Sequence, residues 1–262
     1  MLKDITLGQY FPGNSIAHKL DPRTKILLVT LYIIALFSAK GWMGYAVMAV
    51  TLAACVKVSH VGLRALVRGL KPLVFIIAFT GILNMFFTPD THYLWEWGIL
   101  RVSVKGIENA LFMVIRIMLL VMGTFLMTYT TSPIRLTDGL ESLLNPLKKI
   151  HVPVHELAMM MAIALRFIPT LIEETDKIMS AQKARGADFD SGNIFQKAKA
   201  LVPILVPLFI SAFRRADELA TAMECRCYHG GEGRTKLHVL KYQRRDYVAL
   251  AGGVVILALV VV

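Results

Sequence analysis

Long apolar runs divided by short polar breaks fill the first half of the chain, whereas the second half carries apolar stripes interleaved with charge. The first run covers about Ile26 to Ala39 and the second about Trp42 to Val56, with Lys40-Gly41 between them. Both are short for a hydrocarbon core of about 30 Å, which interfacial anchoring or a thin local membrane accommodates. Asp21 suits an N-cap and Pro22 the first helical position, so the first span starts there. Lys57 to Lys71 holds Arg64 and Arg68 and no acid, which reads as a cytoplasmic loop. A third span follows Pro72 to about Phe87, and residues 88–106, with balanced charge and Tyr93, Trp95 and Trp97, read as an interfacial loop on the outer face. The fourth span, Ile107 to Tyr129, sets Glu108, Phe112 and Arg116 at four-residue spacing on one face. An arginine inside a membrane is costly, so Arg116 must face protein or water, and packing within the bundle explains it better than substrate contact.

From Thr131 to Asp246 the pattern predicts helices without an uninterrupted span-length apolar run. Ser132-Pro133 opens a short helix that reaches about Lys149 with a break near Asn145-Pro146. Pro153 opens a long one, with Leu157, Met160, Ala164, Ile168 and Leu171 on a helical stripe. To Arg185 it would extend about 49 Å, less if Pro169 kinks it. A third helix spans about Ile194 to Arg226, bent by Pro203 and Pro207; residues 230–246 form a basic, Gly-rich connector, and Tyr247 to Val262 a last span. The expected fold class is all-α: a polytopic membrane protein with about five transmembrane helices. It comprises an N-terminal membrane domain (residues 1–130), a cytoplasmic-side domain of three helices (131–246) and a C-terminal transmembrane helix (247–262).

Composition agrees with this reading. The 262 residues are 56% apolar with a mean hydropathy of +0.58, beyond the range of an ordinary soluble domain. The formal net charge of +11 gathers in particular loops, which fits membrane orientation and not a nucleic-acid module. By the positive-inside rule the N-terminus, residues 57–71 and residues 131–246 lie inside, and 88–106 outside. Cys55, Cys225 and Cys227 are too dispersed for a disulfide framework, and no small-residue cleavage site follows the N-terminus, so no removable signal peptide is expected.

Two helix ends carry the candidate chemistry. In Ala184-Arg185-Gly186, glycine can take the left-handed conformation that closes a helix, leaving Arg185 at the tip and pointing away from the body. About forty residues on, the third helix ends in Cys225-Arg226-Cys227, so two helices deliver two arginines to comparable ends. A basic residue there also complements the helix dipole, worth roughly 0.3–1 kcal/mol, which would suffice for a single tip; two tips on consecutive helices of a multispan chain leave that reading and a shared functional one equally open. Other chemistry is weaker. His151 and His155 lack the order and shared face of an HExxH metal site, and Cys225, Cys227, His229 and His238 lack the usual zinc intervals. No metal, cofactor or catalytic residue is assigned, which demotes a zinc-dependent intramembrane enzyme. The absence of paired broken helices demotes a self-contained secondary transporter. No G-x-x-x-x-G-K-[ST] sequence occurs, so energy from ATP must come through a partner.

Gly8-Gln9-Tyr10, the run from His18 to Lys25 (HKLDPRTK), Ala184-Arg185-Gly186 and Cys225-Arg226-Cys227 together resemble the transmembrane T component of energy-coupling-factor importers, a branch of the ATP-binding-cassette transporters. The resemblance covers essentially the whole chain. It implies a multi-pass protein of a prokaryotic plasma membrane whose cytoplasmic coupling helices dock two ATPase subunits through X-Arg-X triplets, here Arg185 and Arg226 with their neighbours. Ala184-Arg185-Gly186 is the family's usual triplet; Cys225-Arg226-Cys227 departs from it in both flanking residues. It also implies a membrane-embedded S component that binds a vitamin or metal ion. Met159, Met160, Met161 and Met179 are expected as adaptable contacts to that partner, against the alternative that they fill the protein's own core.

Overall fold

The computed structural model describes residues 10–88, 93–97, 100–187, 189, 193–230 and 239–261. The chain divides into two compact units, one holding Leu143–Val239 and the other Gly8–Ser142 with Leu240–Val262.

In the second of these, a short turn of helix, α1 (Ile16–Lys19), leads into α2 (Pro22–Ser38), α3 (Gly41–Ser59), α4 (Leu63–Leu70) and α5 (Val74–Phe87). As expected, Asp21 is the N-cap of α2, its side chain accepting from the Arg23 N–H, and Pro22 is the first helical residue. A hairpin, β1 (Tyr93–Trp97) and β2 (Leu100–Ser103), precedes α6 (Val104–Thr130), α7 starts at Pro133 and runs to Leu144, and α10 (Arg244–Val261) returns at the chain's end. Helix α6 is the central element, packed against α2, α3, α4 and α5. Ala35, Leu36, Tyr45, Met48, Leu52, Leu66 and Leu119 form its surrounding core. Gly123 permits a close approach: a Cβ there would stand 2.5 Å from the Tyr32 ring, whose hydroxyl reaches past it to donate to the Leu119 carbonyl at 3.0 Å.

Arg116 of α6 behaves as packing glue. Its Nε donates to the Tyr45 hydroxyl at 2.8 Å, its guanidinium lies 5.6 Å from the Phe37 ring centre, and Tyr45 stacks on Phe112 at 5.1 Å. The charge therefore meets protein on α2 and α3.

Three expectations are corrected. Residues 57–71 are mostly helix, not loop: α4 buries Leu66 and Leu70 and exposes Arg64 and Arg68. Charge asymmetry reports the side of a membrane, whereas the spacing of Leu63, Leu66 and Leu70 reports the helix. Within 88–106 the described residues form an antiparallel hairpin with Glu96 opposite Arg101 and Trp97 opposite Leu100. Apart from it the described fold is helical.

The third concerns the unit with Leu143–Val239, built on α8 (Val154–Ala184) and α9 (Ile194–Cys225) after a tighter helical stretch at Asn145–Ile150. The expected boundaries hold closely here. Yet α8 joins Gly41–Ser59, Leu63–Phe87 and Val104–Thr130 as the fourth helix, among the described residues, long and apolar enough to cross a membrane. Glu156 and Arg166 are the only Asp, Glu, Lys or Arg between residues 154 and 171, too few to break the apolar run.

Candidate functional site

The two arginine tips share one backbone solution. Helix α8 ends with Arg185 as C-cap and Gly186 at φ +87°. The Ala187 N–H donates to the Gln182 carbonyl and the Gly186 N–H to the Lys183 carbonyl, both at 3.0 Å. This is the paired bonding of a Schellman close, which satisfies carbonyls the last turn would leave open. Helix α9 ends identically with Arg226 as C-cap: Tyr228 N–H to the Met223 carbonyl at 3.0 Å, Cys227 N–H to the Glu224 carbonyl at 2.9 Å. Cys227 takes the glycine's place in the left-handed region at φ +55°. The departure in sequence is thus no departure in geometry, although a side chain in that conformation carries a cost of about 1–2 kcal/mol. Arg185 and Arg226 are both exposed, and neither guanidinium has a hydrogen-bond or ion-pair partner among the described residues.

What holds the tips relative to each other is a polar contact between α8 and α9 that sequence reasoning missed. Glu174 accepts from the Ser211 hydroxyl and, at 3.2 and 3.0 Å, from Nε and Nη2 of Arg215. Ser211 and Arg215 are four apart, hence on one face, and the carboxylate receives both. Nearer the tip of α8, Gln182 donates to the Pro203 carbonyl at 3.4 Å. Moving from Glu174 to Gln182 thus moves back from Ser211 to Pro203, so the helices run antiparallel across the contact. Both tips close the C-terminus of their helix, as the sequence suggested, and the antiparallel packing sends them apart. Arg185 emerges about 16 Å along α8 from Glu174, and Arg226 about 16 Å along α9 from Arg215, in opposite directions.

Of the four methionines, Met160 and Met161 are exposed (54% and 40%), while Met159 and Met179 are half-buried. Three consecutive residues on a helix fan over about 200° and cannot form one patch. A more continuous apolar stripe, unmarked in the sequence reading, lies on α9: Val202, Val206, Phe209 and Phe213, spaced four, three and four apart, are each at least half exposed. His151 sits before α8 in the left-handed region, and His229 turns its ring to the Cys227 carbonyl. Among the described residues no cluster of three or more His, Cys, Asp or Glu side chains could hold a metal; His238 lies outside them.

The HKLDPRTK run belongs to the other unit and acts as a latch among helix ends; Gly8 and Gln9, before it, lie outside the described residues. Lys25 donates to the Thr130 carbonyl at 2.8 Å and the Thr131 hydroxyl at 3.1 Å, capping the C-terminus of α6. Arg23 donates to the Leu240 carbonyl at 2.6 Å and lies over the Tyr242 ring at 4.7 Å. Asp246, buried in the first turn of α10, accepts from the Asp21 N–H at 2.9 Å with one oxygen and from the Gln243 N–H at 2.7 Å with the other. One carboxylate thereby caps its own helix and ties it to the start of α2.

Residues 13–237 match the CbiQ family model, described as a cobalt transport protein. The chain is 53% identical over 261 residues to the energy-coupling factor transporter transmembrane protein EcfT of Ruminiclostridium cellulolyticum, covering all of this chain and 97% of that protein. It is 56% identical over 250 residues to EcfT of Clostridium kluyveri (95% and 93% covered) and 46% identical over 259 residues to EcfT of Bacillus subtilis (99% and 98%).

Proposed function

Because this chain belongs to the family of energy-coupling factor transporter transmembrane proteins, we propose that it is the scaffold and transmission of an ATP-driven importer, docking one ATPase subunit at Arg185 and another at Arg226. The chain itself is the non-catalytic subunit, and its ATPase partners hydrolyse ATP. The observation that carries this reading is the duplicated tip. Two helix ends closed by the same bonds each present one exposed guanidinium without a partner among the described residues, on opposite arms of a pair joined at Glu174. A tip that only complemented its own helix dipole would need neither the exposure nor the repetition.

An arginine fork is permanently charged and planar, so it can fill an acidic or carbonyl-lined groove in a fixed orientation. When two such grooves approach as the ATPases close, the tips are driven at the far ends of arms joined near their middles. The joint turns that displacement into a change of angle between α8 and α9. The apolar stripe of Val202, Val206, Phe209 and Phe213, with the exposed Met160 and Met161, is the surface on which the membrane-embedded S component would feel the change. The cargo held by that component is a vitamin or transition-metal ion, and the N-terminus and tips face the cytoplasm of a prokaryotic cell.

The test is ATPase retention and substrate uptake by the intact complex carrying Arg185→Ala, Arg226→Ala, both, or the lysine versions. Each desolvated tip should contribute on the order of 2–5 kcal/mol of docking. One loss is partly buffered because the remaining tip tethers the assembly, whereas the double variant releases the ATPases and stops uptake. Lysine rescues poorly, since it keeps the charge and loses the fork. Normal retention and uptake in the double alanine variant would overturn the reading.

A further inference from the structure

The unit that carries the latch also contains an apolar crevice of about 640 Å³ between α2, α3, α6 and α10. Its walls are hydrocarbon: Leu28 and Leu31 from α2, Leu126 and Met127 from α6, Val248 and Ile256 from α10. Three polar side chains on these walls are already bonded within the protein. Tyr32 donates to the Leu119 carbonyl, Thr51 to the Val47 carbonyl and Lys25 to the Thr130 carbonyl. A polar substrate would need free, convergent donors and acceptors along this surface, and an apolar chain would not.

One end of the crevice is different. Arg244 and Arg245, the first residues of α10, line it and are exposed. Arg245 donates to the Gln243 side chain, and no carboxylate pairs with Arg244 among the described residues. Between Arg245 and Ile256 the helix rises about 16 Å, close to half of a hydrocarbon core of about 30 Å. An apolar slot one leaflet deep, with two guanidiniums at its mouth, is complementary in shape and charge to an amphiphile with an acidic head.

We propose that this crevice binds one anionic phospholipid, an acyl chain lying between α2 and α10 and the phosphate resting against Arg244 and Arg245. Guanidinium and phosphate match as paired donors and acceptors, and each basic residue near a membrane surface favours an anionic lipid. The bound head would stand on the turn of α10 that carries Asp246, so the lipid would steady the latch between α10 and α2.

Gly252 supplies a clean probe. It lines the crevice, and a Cβ built on it meets nothing within 4 Å, so a large side chain would fill the space without an initial clash. The experiment is native mass spectrometry of the full chain after exchange into equimolar phosphatidylglycerol and phosphatidylcholine with identical acyl chains. The unaltered protein should retain one phosphatidylglycerol in preference to phosphatidylcholine by about tenfold, and inorganic phosphate should not displace it. Arg244→Gln with Arg245→Gln should bring the preference to within about twofold of parity, while Gly252→Phe should reduce retention of both lipids severalfold. Equal retention of the two lipids by the unaltered protein, or full retention in Gly252→Phe, would overturn the proposal. No ATPase enters the measurement, so its failure leaves the coupling role untouched.

Discussion

Both the latch and the tips place charged side chains at helix ends, but they dispose of hydrogen-bonding capacity in opposite ways. At the latch, Asp21, Arg23, Lys25 and Asp246 direct their groups into the protein, and the lysine and both aspartates are buried. At the tips two carbonyls of each last turn are closed by the Schellman bonds, while the exposed guanidiniums of Arg185 and Arg226 have no hydrogen-bond or ion-pair partner among the described residues. A satisfied charge at a helix end holds a fold together; an unsatisfied one on a rigid, closed terminus is available to another molecule. Substitutions at the two places should therefore fail differently, the first in stability and the second in partnership.

The largest stability effect is expected at the latch. Asp246→Ala deprives the Asp21 and Gln243 N–H groups of their acceptor and should cost about 2–4 kcal/mol, seen as a lower melting temperature of the detergent-solubilised chain. Asp246→Asn, which keeps a carbonyl oxygen, should cost less. Wild-type melting in Asp246→Ala would show that the cluster is not what joins α10 to α2.

An intermediate effect is expected at the joint. Glu174→Ala removes the acceptor shared by Ser211 and Arg215, and partial exposure limits the loss to about 1–2 kcal/mol. Coupling should suffer more than stability: the ATPases stay bound to intact tips while uptake per ATP hydrolysed falls. Unchanged coupling would place the pivot between α8 and α9 elsewhere.

The smallest effects separate the tips themselves. Gly186→Ala forces a side chain into φ +87° and should destabilise by about 1 kcal/mol, whereas Cys227→Gly relieves the same strain at φ +55° and should stabilise by a similar amount. Chemical denaturation measures both. ATPase retention should survive in Cys227→Gly, because the Schellman bonds that aim Arg226 are unchanged or improved; its loss there would mean that the cysteine side chain itself takes part in docking.

Much of this protein follows from local pattern. The N-cap at Asp21, the starts at Pro22 and Pro133, the extent of α8 and α9 and the glycine close after Arg185 are readable in sequence because each depends on residues within one or two turns. The role of packing for Arg116 was legible too, since an intramembrane charge must find protein, although its partner Tyr45 was not. What only the tertiary structure decided are relations between residues far apart in the chain. Nothing local to Glu174 announces Arg215, and nothing near Asp21 announces Asp246, 225 positions away. The opposed direction of the two tips is of the same kind. Two helices that each end in an arginine tip carry no local sign of their relative direction, and only the antiparallel register of Glu174 with Ser211 and Gln182 with Pro203 turns them apart. Cys227 marks the boundary between the two. Residue type argues against a left-handed position there, yet the backbone bonds of the helix end impose it, because satisfying the last carbonyls outweighs the strain of a single side chain.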